Sequence, residues 1–212
     1  IDHVDRLFDV IPESIRCQEG LDLSPPQSEL ELQRSLTEIA SHNVGAHNMV
    51  CFMGCGAYDH FYPALIDQLI SRGEFLTSYT PYQAEASQGT LQAFFEFQTQ
   101  IAQVTGLEIA NSSLYDGATA VAEAAILAVN TTRRHTVLVA STMHPEYLAV
   151  LRTCLADLHV NITMLTATNG KVLPETVREE MSDDIAAVIV QSPNIWGQIE
   201  DWDGCFEVAH ED

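Results

Sequence analysis

Three short stretches of this 212-residue chain gather side chains able to bind or react. In the first, Tyr115-Asp116-Gly117-Ala118-Thr119-Ala120, an acid and a glycine stand where an apolar run hands over to an alanine-rich one. Gly117 permits close backbone approach, and the first-turn amides with the Thr119 hydroxyl suit an anion. The plainer reading is an Asp N-cap followed by a small-residue turn. The second stretch, Tyr79-Thr80-Pro81-Tyr82-Gln83-Ala84-Glu85-Ala86-Ser87-Gln88-Gly89, puts two tyrosines, an acid, amides and hydroxyls into a segment without hydrophobic periodicity. Polar, aromatic loops ahead of a helix are frequent binding elements, although a solvated loop whose Ser87 caps the next helix has the same composition. The third is His144-Pro145, just after an apolar run that ends at Ala140. At the end of a parallel strand an imidazole faces the crevice where α/β ligands bind, and it can stack on a flat group there. A lone His is more often a surface or cap residue.

Two other chemistries find little support. His42, His47, Cys51, Cys55 and His60 are potential zinc ligands within nineteen positions. Their spacing matches no short Cys/His signature, and Gly54 and Gly56 flank Cys55 in a turn-like stretch, so no metal is expected. Lys171 is the only lysine and lies in the turn sequence Thr168-Asn169-Gly170-Lys171. A lysine that attaches a carbonyl cofactor works from a desolvated amine, which argues against a self-sufficient aminotransferase-like enzyme. Nothing resembles a Walker loop, a Gly-x-Ser-x-Gly elbow or a dinucleotide fingerprint.

The elements that must carry these groups follow from the hydrophobic pattern. Residues 1–26 carry turn chemistry and end in Ser24-Pro25-Pro26, an arm or linker. Ser28-Glu29-Leu30-Glu31 is a capping box opening a helix whose apolar stripe holds Leu32, Leu36, Ile39 and Ala40. Pro63 fits the first turn of another helix, with Gly73 as its stop, and residues 87–105 form a third, closed by Gly106. From there strands and helices alternate. Strands are expected over 107–114, 136–140, 160–165 and 185–190, and helices over 117–129, 145–158, 174–181 and from 203 onward. Continuous apolar strands between helices imply a sheet covered on both faces, hence mainly parallel. The expected class is therefore α/β, a mostly parallel sheet covered by helices and preceded by a helical N-terminal region. The division falls into 1–74, an arm and helical region, and 75–212, the first part of a large α/β domain.

Charge and composition narrow the partners. Thirty acids against nine bases give a formal net charge of −21, while 46% of the residues are hydrophobic. Such a chain folds, and it repels nucleic acid and anionic membrane. Five scattered cysteines suit free thiols, the N-terminus shows no signal-peptide pattern, and no run is long enough to span a bilayer. Cytoplasm is the expected compartment.

Read in order, the motifs resemble a known family. Phe52-Met53-Gly54-Cys55-Gly56-Ala57-Tyr58-Asp59-His60, the Tyr79–Gln92 stretch, Tyr115–Ala120, and Gln191-Ser192-Pro193-Asn194 followed by Gly197, Glu200 and Asp201 are similar to glycine dehydrogenase (decarboxylating) subunit 1. That family is the N-terminal subunit of the split P-protein of the glycine cleavage system. Cys55 departs from it, where a plainer small residue is expected. The resemblance implies a fold-type-I pyridoxal-phosphate-enzyme architecture, and a chain truncated before the strand with the pyridine-nitrogen aspartate and before the small C-terminal domain. It implies an oxidoreductase that decarboxylates glycine and passes the aminomethyl group to the lipoyl group of H-protein. Pyridoxal phosphate would be held covalently by subunit 2, the heterodimer partner, and not by this chain, and the isolated fragment would be inactive. Tyr79, Tyr82, Gln83 and Glu85 become the groups presented to a shared site or lipoyl channel. Asp116, Gly117, Ala118, Thr119 and His144 match the positions that cradle phosphate and stack on the ring, as a vestige in a chain without the lysine. A non-catalytic scaffold subunit that stabilises subunit 2 is the alternative.

Overall fold

The computed structural model describes residues 3–17, 19–45, 48–52, 54, 56, 58–76 and 79–211. Two compact units are distinguished, Ile1–Phe52 and Met53–Asp212.

In the first unit two short 3-10 turns, Val4–Phe8 and Glu13–Ile15, precede helix α1, Glu29–Ala40. The helix starts where its capping box predicts. The Glu31 N–H donates to Ser28 Oγ at 3.4 Å, and the Ser28 N–H donates to Glu31 Oε2 at 2.9 Å. The Ser28 hydroxyl, donating to the same Oε2 at 2.6 Å, and then the Ser28 N–H hold the Glu31 carboxyl below the usual carboxylate range. No described residue of this unit is buried.

The second unit begins with helices α2 (Leu65–Ile70), α3 (Gly73–Leu76) and α4 (Gln88–Thr105). Gly73 opens α3 instead of stopping α2. Helix α2 already ends at Ser71, whose hydroxyl and N–H both donate to the Asp67 carbonyl, and the Phe75 and Leu76 N–H groups restart the ladder on the Arg72 carbonyl. Gly106 does close α4, at φ +75° with its N–H on the Ala102 carbonyl.

The sheet comes next: α5 (Gly117–Thr132), β1 (Thr136–Ala140), α6 (Pro145–Leu155), β2 (Asn161–Leu165), α7 (Pro174–Glu180), β3 (Ile185–Ile189) and α8 (Asp203–His210). All three strands are parallel in the order β2-β1-β3, which bears out the α/β class. The central strand explains why its sequence shows no polar alternation. Val137 and Val139 pack with Ala122, Ala125, Leu151 and Leu155 of α5 and α6. Leu138 and Ala140 pack on the other face with Val177, Cys205 and Val208 of α7 and α8. A strand covered on both sides needs apolar residues at every position. Each fully buried Val or Leu here contributes about 1.5–3 kcal/mol relative to exposure. At the N-terminal end of the strands, Asp184 ties β3 to β1 by accepting from the His135 N–H at 3.0 Å and the Thr136 hydroxyl at 2.6 Å. The register shifts there, between Thr136 and Val137.

The strand expected over 107–114 does not form; these residues are irregular. Leu107 and Ile109 are exposed, and Asn111-Ser112-Ser113 follows with turn chemistry. Strand residues are stabilised by a neighbouring strand to pair with, and among the described residues this stretch pairs with none; instead the Gln98 side chain of α4 donates to the Ala110 carbonyl at 2.9 Å. Among the described residues no helix is long and apolar enough to cross a membrane.

Candidate functional site

Strand order and connections create a crevice. From β1 the chain leaves through α6, on one face, to reach β2; from β3 it leaves toward α8, on the other face. Adjacent strands whose outgoing loops part in this way define the switch point where α/β sheets bind ligands. A cleft of about 380 Å³ lies there, lined by His144 and Tyr147 from the β1 side, by Gln191 to Ile195 from the β3 side, and by Gly56 and Tyr58.

His144 is fixed from two directions. It is the N-cap of α6, with Nδ1 accepting from the Glu146 N–H at 3.2 Å. Its own backbone N–H donates to Gln191 Oε1 at 2.7 Å. The ring lies against Tyr147, with centroids 5.3 Å apart and planes tilted by 40°. Tyr147 in turn reaches the start of α5. A Cβ on Gly117 would lie 2.5 Å from the Tyr147 hydroxyl oxygen, so only glycine fits unless the tyrosine moves. Gly117, Tyr147, His144 and Gln191 therefore form one constellation at the carboxyl ends of β1 and β3.

The first turn of α5 is already capped. Asp116 Oδ1 accepts from the Thr119 N–H at 2.7 Å and from the Thr119 hydroxyl at 2.9 Å, and the Asp116 N–H donates to Thr119 Oγ1 at 3.3 Å. The Thr119 backbone bond first, then its hydroxyl, holds the Asp116 carboxyl below the usual range. Ala118 is buried beneath this turn and Thr119 is half-buried.

Toward pyridoxal phosphate the fit within this chain is poor. The Thr119 amide that would meet a phosphate oxygen is engaged by a carboxylate of the chain itself. Lys171, the only lysine, is exposed in a turn closed by the Thr168–Lys171 bridge and does not line the cleft. A ring could rest on His144, but among the described residues that line the cleft neither a free phosphate cradle nor a cofactor-attaching amine accompanies it.

The other group of candidate residues stands apart from the cleft lining. Tyr79, Tyr82, Gln83 and Glu85 are exposed on the loop before α4, and the two tyrosine rings face each other at 5.9 Å and 47°. Ser87 gives α4 no side-chain cap. Of the zinc candidates, His47 and Cys55 lie outside the described residues, and among the described ones no three acids, histidines or cysteines form a metal-sized group. Tyr147 was not singled out by sequence. Its signal is the spacing His144-x-x-Tyr147 at a helix start, which puts both rings on one face.

Comparisons with known proteins agree over almost the whole chain. The family model described as glycine cleavage system P-protein matches residues 1–212. A protein of Listeria innocua serovar 6a, named as a probable glycine dehydrogenase (decarboxylating) subunit 1, is 45% identical over 208 residues, 98% of this chain and 46% of the relative. The protein of the same name from Listeria monocytogenes serotype 4b is 46% identical with the same coverage. Among solved structures, the crystal structure of glycine decarboxylase (P-protein) of the glycine cleavage system in inhibitor-bound form is similar with a TM-score of 0.87 at 43% identity, covering 99% of this chain and 46% of that one. The chain spans about half the length of the curated relatives it matches.

Proposed function

Because the chain belongs to the glycine cleavage system P-protein family, we propose that it is part of subunit 1 of a glycine dehydrogenase (decarboxylating). On this reading the assembled enzyme decarboxylates glycine and hands the aminomethyl group to the lipoyl group of H-protein. Pyridoxal phosphate, held covalently by subunit 2, supplies the electron sink when bound. The observation that carries this division of labour is Lys171: the only lysine in the chain is exposed in a turn and does not line the cleft. What remains for this chain is to shape a site. The exposed Tyr79, Tyr82, Gln83 and Glu85 present hydroxyl, amide and carboxylate groups to a shared site or channel. The constellation around His144, with Asp116, Gly117, Ala118 and Thr119, is a cradle that its own carboxylate has closed.

Borohydride reduction of the assembled enzyme followed by peptide mapping tests the assignment. Label is expected on subunit 2 and none on Lys171; stoichiometric label on Lys171 overturns it. The exposure of the loop before α4 also favours a second reading, a scaffold that only stabilises subunit 2. Tyr82→Ala and Glu85→Ala in the full subunit separate the two. Loss of glycine turnover with intact assembly supports the shared site, and unchanged turnover supports the scaffold.

A further inference from the structure

The loop that follows β3 lines the cleft with its first residues, and beyond them it is tied down by a set of buried hydrogen bonds. Asn194 is only 3% exposed, and its amide is saturated. Its Oδ1 accepts from the Trp196 and Gln198 N–H groups, both at 3.0 Å. Its Nδ2 donates to the Gly170 carbonyl at 3.0 Å and to Glu200 Oε1 at 2.8 Å. Glu200, 6% exposed, accepts from the Val172 N–H at 2.8 Å with its other oxygen. The Ile195 N–H donates to the Thr142 carbonyl at 2.9 Å, joining the loop to the turn after β1. At the near end, Gln191 holds the His144 N–H with its Oε1 and donates from Nε2 to the Pro193 carbonyl at 3.1 Å.

A carboxylate taken out of water is costly unless donors meet it, and here each oxygen meets one. Fully satisfied buried polar groups of this kind rigidify one conformation. We propose that Gln191, Asn194 and Glu200 are positioning residues that act through the loop after β3 to fix His144 in the wall of the cleft. The inference rests on one addition to the proposed function, that the cleft around His144, though closed to phosphate, still forms a wall of the shared site. Bond polarity makes the clamp selective. Gln at position 200 turns one of two acceptors into a donor facing an N–H. Leu at position 191 removes both the acceptor for the His144 N–H and the donor to the Pro193 carbonyl.

Labelling with diethyl pyrocarbonate in the full-length enzyme, followed by peptide mass mapping, reads how firmly His144 is held. The reagent needs a free imidazole lone pair, and in the clamped ring Nδ1 is engaged by the Glu146 N–H. Exposed His159 is the internal reference. We expect Q191L and E200Q to raise labelling at His144 about threefold or more through local opening, with His159 unchanged. Wild-type labelling of His144 in Q191L overturns the proposal. So does a rise shared equally by His159, which would mean general loosening rather than positioning. Glycine turnover of the same variants tests the functional reading separately. If labelling responds and turnover does not, the clamp stands and the role of His144 in the site falls.

Discussion

Helices α4 and α5 are of similar length, 18 and 16 residues, and both are rich in apolar side chains, yet they live in opposite surroundings. In α5 the apolar residues are small. Ala118, Ala122 and Ala125 are buried, and their missing bulk lets the helix lie close on α6 and β3. In α4 they are large and uncovered: Phe95 is 71% exposed and Val104 84%, while no residue of the helix is buried. A 3.6-residue apolar pattern therefore states that a helix has a face to bury, not that its own chain supplies the cover. The same holds for every described residue before Ala118, none of which is buried. The core of this chain is the three-stranded sheet and the helices that flank it.

The sharpest way to break this contrast is to enlarge α5 where it packs. Ala125→Leu should destabilise by about 1–3 kcal/mol, because a packed core resists added volume; equilibrium denaturation of the full-length protein reads it. Wild-type stability would mean that α5 is looser than its burial states. Next in size is Gly117→Ala, whose Cβ meets the Tyr147 hydroxyl, with an expected loss of about 1 kcal/mol and partial recovery in the double variant with Tyr147→Leu. Additivity of the two changes would show that they do not touch. A smaller effect belongs to pH. The folded-state pKa of Asp116 is lowered, so its capping contributes stability above the ordinary Asp value and loses it as pH falls through the lower folded value. The melting-temperature difference between wild type and Asp116→Asn should be constant above about pH 4 and shrink below it. The smallest effect is expected at α4. Phe95→Ala in this chain alone should change stability by less than about 0.5 kcal/mol, and a loss as large as that at Ala125 would mean that α4 is covered after all.

The sheet was the most legible part of the sequence. Residues 136–140 were read without error, and the other two strands each differ by one residue from their expected bounds, since Val160 and Val190 fall outside the paired ladder. Buried parallel strands announce themselves as unbroken apolar runs. The run over 107–114 has the same look for only a few residues, and local composition cannot say that no neighbour waits beside it. Caps were legible where both halves of the motif are encoded nearby, as at Ser28 with Glu31 and at Asp116 with Thr119. The cleft was half legible. His144 was picked out by its place after a strand, but its bond to Gln191 spans 47 positions. Nor could spacing reveal that Tyr147 stands over Gly117. Such pairings are products of strand order, which no local pattern contains.

One consequence follows from how His144 caps its helix. With Nδ1 accepting from the Glu146 N–H, the neutral ring carries its proton on Nε2. The nitrogen left over therefore carries an N–H and not a lone pair. Whatever meets that nitrogen of the neutral ring must accept: a carbonyl or ring nitrogen can be met there, and a group that can only donate cannot.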